Sequence, residues 1–186
     1  MYTPQRLVAE HREMEENENL LIYQNHRRKV NGIYVAEKDW DGLMELYDQA
    51  LDIAEISPEY KTILRTMPIQ EYEASLLSSL QRAAQKAHKT DTVKAIYFEH
   101  EDGQANFFLC ERFEKNDDSD WASDFEVDID APELDPQYNL LADDFPNWHF
   151  SLIFAYVDSQ ICSSLGKCIS KVEINIPIAM AEHDTR

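Results

Sequence analysis

The sequence predicts an α+β fold in which N-terminal helices pack on a C-terminal, mostly antiparallel sheet, and two observations carry this expectation. Up to about residue 90 the apolar residues recur at three-and-four spacing; beyond it the period changes to alternation, and β-branched and aromatic types dominate. No repeat and no Gly/Ser-rich linker divides the 186 residues. One domain is expected, with a helical part over about 1–90 and a sheet part over about 91–186. With 44% hydrophobic and 11% aromatic residues the chain can build a core of that size despite its charge.

Thr3 followed by Pro4 makes an N-cap and first-turn pair. They open a long, poorly buried helix whose sparse apolar marks are Leu7, Val8, Met14, Leu21 and Ile22. Arg27, Arg28 and Lys29 suit the negative end of a helix, so the helix should stop there, before a turn at Asn31 and Gly32 and a short strand over Ile33–Ala36. From Asp39, the residues Trp40, Leu43, Met44, Tyr47, Leu51 and Ala54 share one helix face. Ser57 and Pro58 restart a short turn or helix, and after Pro68 the series Ile69, Tyr72, Leu76, Leu80, Ala83, Ala84 and Ala87 marks a further helix.

The strands follow. Val93–His100 and Gln104–Phe113 flank Asp102 and Gly103, a dipeptide that favours a tight hairpin. Trp121–Asp130 alternates without a break, with Trp121, Ser123, Phe125, Val127 and Ile129 assigned to the core face and Ala122, Asp124, Glu126, Asp128 and Asp130 to the other. Residues 131–147 hold Pro132, Pro136 and Pro146 and no period, as a surface excursion would. Phe150, Ile153, Phe154, Val157 and Ile161 fit a helix, but the aromatic and β-branched density of Trp148–Val157 favours a buried strand, and a strand is expected. A short helix over Asp158–Leu165 should end at Gly166, before a last strand through Val172, Ile174 and Ile176.

The charge is local. Of the formal net charge of −19, a window from Glu99 to Asp144 carries −14, with 16 acidic residues against Arg112 and Lys115. Crowding of one sign costs stability through self-repulsion and draws in cationic surfaces from a distance. Its densest part is the comb Asp124, Glu126, Asp128 and Asp130, whose neighbours two apart on a strand stand about 6.6–7 Å from each other, within a Debye length. On a bare surface such a comb does no more than keep the sheet soluble. With Asp117, Asp118 and Asp120 in the preceding loop, and Trp121, Phe125, Tyr138 and Trp148 as anchors inside an acidic rim, it becomes a face for a basic protein.

Other chemistries find less support. Residues 116–127 fail as a calcium loop, because Trp121 stands where the glycine belongs and Val127 where the bidentate Glu belongs. Glu99, His100 and Glu101 make a ligand cluster on paper, but alternation sends His100 to the opposite strand face. Cys110, Cys162 and Cys168 match no metal or redox spacing and read as reduced thiols. The chain has no strand–turn–helix serine motif, its six histidines are scattered, and four glycines leave little material for a phosphate-cradling loop. No cofactor and no metal are expected, and the enzyme question leans towards no. Seventeen Lys and Arg without a stripe disfavour direct nucleic-acid binding. The longest apolar stretch, Phe150–Val157, is far short of the ~20 residues of a membrane span, and the opening residues lack a secretory pattern, so a cytoplasmic location is expected.

Small, acidic, α+β and without a catalytic signature, the chain resembles in overall character the immunity proteins of bacterial polymorphic toxin systems. The resemblance implies stoichiometric inhibition of a cognate toxin, often a nuclease. The alternatives are an acidic mimic of nucleic acid that binds several DNA-binding proteins, a metal-dependent hydrolase using paired carboxylates, and a self-assembling structural protein whose acidic face is only a solubilising exterior.

Overall fold

Among the described residues, six helices and four strands follow one another as α1 (Pro4–Glu15), α2 (Leu20–Glu37), α3 (Trp40–Ile53), α4 (Pro58–Arg65), α5 (Ile69–Ala87), β1 (Ala95–Glu101), β2 (Gln104–Cys110), β3 (Phe125–Ala131), α6 (Asn147–Ile169) and β4 (Ile178–Glu182). This α+β chain, seen in a computed structural model, is described over residues 2–15, 20–101, 104–114, 122, 125–134 and 147–182. For residues 15, 20, 21, 24, 101, 104, 126, 147, 181 and 182 the description covers the backbone alone. Two compact units emerge: residues 1–67 with 136–166, and residues 68–135 with 167–186.

The first unit is helical, and its starts are written locally. Thr3 caps α1 by accepting from the Arg6 amide (3.3 Å), Asp39 caps α3 by accepting from the Gly42 amide (3.0 Å), and Ser57 caps α4 with Pro58 in the first turn. Two helix ends are less ordinary. Lys38 (φ 56°) and Glu55 (φ 58°) occupy the left-handed region that usually falls to glycine. Each lets the next amide reach back, Asp39 to the Tyr34 carbonyl (3.0 Å) and Ile56 to the Leu51 carbonyl (3.2 Å). Across α3 and α4, Arg65 forks onto Asp48 (2.7 and 3.1 Å) and reaches Asp52 (3.2 Å), which Lys61 also meets (2.7 Å).

Three expectations are corrected here. The helix does not end at Lys29, and Ile33–Ala36 is not a strand: α2 runs through Asn31 and Gly32 to Glu37. Long-range contacts outweigh the local turn signal. Val30 and Tyr34 are buried, and the Asn31 amide donates to Asp158 (3.0 Å) while its oxygen accepts from Ser159 (3.0 Å) on α6. A glycine inside a helix costs only about 1 kcal/mol, less than those contacts return. Arg27, assigned to a helix end, is instead a buried mid-helix residue.

The second correction is that Trp148–Val157 is helical, part of one 23-residue helix, α6. Leu152, Ile153, Ala155, Tyr156, Val157, Ser159, Ile161, Ser163, Ser164 and Leu165 are all buried, so no single polar face remains to show a helical period. Gly166 does not end it either. The helix continues past it to Ile169, and the glycine serves packing: a Cβ at Gly166 would overlap the indole of Trp40, and its absence lets that ring approach.

Among its described residues the second unit holds a four-stranded sheet of order β3-β2-β1-β4, antiparallel except for the parallel β1–β4 pair, with α5 on one face. β1 and β2 pair antiparallel as expected, the expected turn residues Asp102 and Gly103 lying outside the described residues, and the register places Ile96, Phe98, Phe107 and Leu109, all fully buried, on the helix-facing side. The Phe98 and Phe107 rings pack 4.8 Å apart, and α5 buries Tyr72, Leu76, Leu80, Ala83 and Ala84. Each such aromatic contributes roughly 1.5–3 kcal/mol by leaving water. The third correction concerns the last strand, which runs over Ile178–Glu182 rather than through Val172, Ile174 and Ile176. Its pairing is set by β1, whose Ile96 amide donates to the Pro177 carbonyl (2.9 Å), where a proline can still accept.

Candidate partner-binding face

β3 is the edge strand of the described sheet, and its pairing with β2 holds the feature that shapes the site. Asp130, Ile129, Asp128 and Val127 stand opposite Asn106, Phe107, Phe108 and Leu109; the next step on β2, to Cys110, matches Phe125 and passes over Glu126. Glu126 is therefore the extra residue of a β-bulge. Val127 and Ile129 keep the helix-facing side, as expected. Phe125 does not. The bulge transfers it to the opposite face, the one shared by Cys110, Phe108 and Asp128.

Three rows cross this outer face from β1 to β3. They read Glu99, Asn106, Asp130; then Tyr97, Phe108, Asp128; then Ala95, Cys110, Phe125. One end is closed by a small apolar cluster of Ala95, Tyr97, Cys110 and Ala122, against which Phe108 and Ala179 pack. The β3 end is open: Asp128 and Asp130 are exposed and Phe125 is 45% exposed. Phe125 is held by Phe108, ring centroids 4.5 Å apart, and Phe108 in turn faces Tyr97 at 6.4 Å. From the other face, Arg82 of α5 donates to the Asp130 carbonyl (3.1 Å), tying the end of the edge strand to the helix.

Of the acids and aromatics expected to bind, Asp128 and Asp130 thus sit together on an exposed face beside Phe125. Glu126 lies at the bulge, with only its backbone described. Asp117, Asp118, Asp120, Trp121, Asp124 and Tyr138 lie outside the described residues. Trp148 belongs to the helical unit, where the Arg12 guanidinium lies over its ring at 4.6 Å. Phe108 was not singled out from sequence, though its place two residues before Cys110 in an alternating strand was visible.

The helical unit holds a polar cluster that sequence spacing did not reveal. His11, with no exposed surface, has its Nδ1 3.0 Å from the Ser151 hydroxyl, and its ring meets that of His26 edge-on at 5.2 Å. His26 bonds Glu10 (2.6 Å), which also accepts from Arg6 (2.8 Å). Burial pushes the Glu10 carboxyl up, but these two bonds outweigh it and hold the group below the usual range. A serine beside a histidine suggests a nucleophile and its base, yet burial, with His26 and Arg27 nearby, pushes His11 down to about 3. No substrate reaches a ring that is wholly covered. The thiols are equally quiet: burial and Asp158 push Cys162 up to about 12, and burial pushes Cys168 up to about 11, away from the thiolate.

Among the described residues no three His, Cys, Asp or Glu side chains are placed to hold a metal ion, and no helix is long and apolar enough to cross a membrane. Compared with known proteins, the chain matches no family model, and no curated protein or solved structure is significantly similar to it.

Proposed function

We propose that this chain is a non-catalytic acidic protein that binds and inhibits a basic partner, acting as the immunity protein of a bacterial toxin such as a nuclease, in the cytoplasm of the cell that it protects. The observation that supports the reading is the open end of the sheet face, where exposed Asp128 and Asp130 adjoin an exposed phenylalanine in a chain of net charge −19. Charge of this density accelerates encounter with a cationic surface, and an aromatic anchor then slows departure. A toxin that grips nucleic acid must present a positive groove, which such a face would occupy.

The test is to look beside this gene for a secreted protein with a basic C-terminal domain and to co-express that domain with this chain. Restored growth with a one-to-one complex supports the reading. If the chain binds no such domain and leaves its toxicity untouched, the reading fails.

A further inference from the structure

We propose that the open end of the sheet face reads arginine rather than positive charge in general, taking a partner's guanidinium stacked on Phe125 and forked onto Asp128. This deepens the inhibitor reading and rests on it. The first argument is the bulge. Unbroken alternation would place Phe125 with Val127 and Ile129 against the core; the extra residue at Glu126 instead leaves it 45% exposed on the acidic side. The second is preorganisation. Phe108 braces the Phe125 ring at 4.5 Å and itself stands directly opposite Asp128 in the register, so one planar apolar surface and one carboxylate are presented side by side. Among the described residues no Lys, Arg or His nitrogen forms an ion pair with the carboxylate of Asp128 or Asp130, the Arg82 bond being to the Asp130 backbone carbonyl.

The third argument is chemical. A ring face attracts any cation, but only a guanidinium is flat enough to stack while its N–H fork meets a carboxylate; a lysine ammonium is a compact, strongly hydrated point charge. The chain contains this arrangement within itself. The Arg6 guanidinium lies over the Tyr2 ring at 4.4 Å and donates through Nε to Glu10 at 2.8 Å, one arginine serving an aromatic and a carboxylate at once. On β3 the aromatic and the carboxylate are present and the arginine is to come from outside.

The experiment uses fluorescent peptides of equal charge, one with arginines and one with lysines spaced by Gly and Ser, titrated against the full chain at physiological salt. The arginine peptide should bind about two- to fivefold tighter. Phe125→Leu, at an exposed position that keeps the fold, should bring the two peptides to parity by weakening the arginine peptide more than the lysine peptide. Asp128→Asn should weaken both and reduce the difference. Glu59→Gln, on α4, should leave the preference intact. Equal affinity for the two peptides in the wild type, no binding of either, or an undiminished preference in Phe125→Leu would each overturn the inference. None of these touches the inhibitor reading, which stands or falls on rescue from the toxin.

Discussion

The indole of Trp40 occupies the space that a Cβ on Gly166 would fill, so the start of α3 and the late turns of α6 are matched through one absent methyl group. Gly166→Ala should destabilise the helical unit, by about 1–3 kcal/mol as for other overpacked interiors, although alanine is the better helix former. Adding Trp40→Ala should recover part of that loss. Urea unfolding of both single variants and the double variant measures the coupling, and strictly additive effects would mean that ring and glycine do not meet.

Lys38 and Glu55 hold left-handed backbone conformations without being glycine. Such a conformation costs an L-residue roughly 1–2 kcal/mol, and glycine removes most of that cost while adding unfolded-state entropy. Lys38→Gly and Glu55→Gly should each stabilise the chain by about 0.5–1 kcal/mol. Thermal melts of the two variants and their combination check both size and additivity.

His11 sets a pH dependence whose sign is fixed by its burial. Its pKa falls from an ordinary 6.5 to about 3 on folding, so below pH 6.5 the unfolded chain takes up a proton that the folded chain refuses. Stability contributed by the neutral ring is therefore complete above 6.5 and is lost as pH falls towards 3, at up to about 1.4 kcal/mol per pH unit. Between pH 6.5 and 5, before most carboxylates titrate, His11→Gln should flatten the slope of unfolding free energy against pH. Parallel slopes for wild type and variant would exclude His11 as its source.

Asp128→Asn with Asp130→Asn should leave the fold intact and raise its melting temperature slightly, since both side chains are exposed and repel each other. Association with the basic partner should slow more than dissociation quickens, and the wild type's loss of association rate with added salt should shrink in the variant. Stopped-flow kinetics at two or three ionic strengths measure all of this. Unchanged rates and salt slope would assign the two acids to solubility alone.

Much of the fold was legible because its signals were local. Asp39, Ser57 and Pro58 announce α3 and α4 within a turn, the face from Ile69 to Ala87 announces α5, and the alternation on either side of Asp102 and Gly103 announces the hairpin. The misreadings fall where distant contacts decide. Asn31 looks like a turn until Asp158 and Ser159 are seen to hold it in a helix, and Trp148–Val157 looks like a strand because α6 is buried nearly all round. At the candidate face, the exposure of Asp128 and Asp130 was readable from period two. The side taken by Phe125 was not, since a bulge is a property of the pairing with β2 and leaves no trace in the alternation of β3 itself.

That bulge makes β3 a strand with a phase slip in it. Phe125 and Val127, two apart in the sequence, address opposite sides of the sheet, under a single unbroken pattern of letters. Removing Glu126 would shorten the strand without moving the anchor. It would leave Phe125 next to Val127 and still opposite Cys110 on the outer side, whereas the same letters paired without an extra residue would turn Phe125 inward and leave the outer side to acids alone; the pairing with β2 governs whether the surface offers an anchor or only a field.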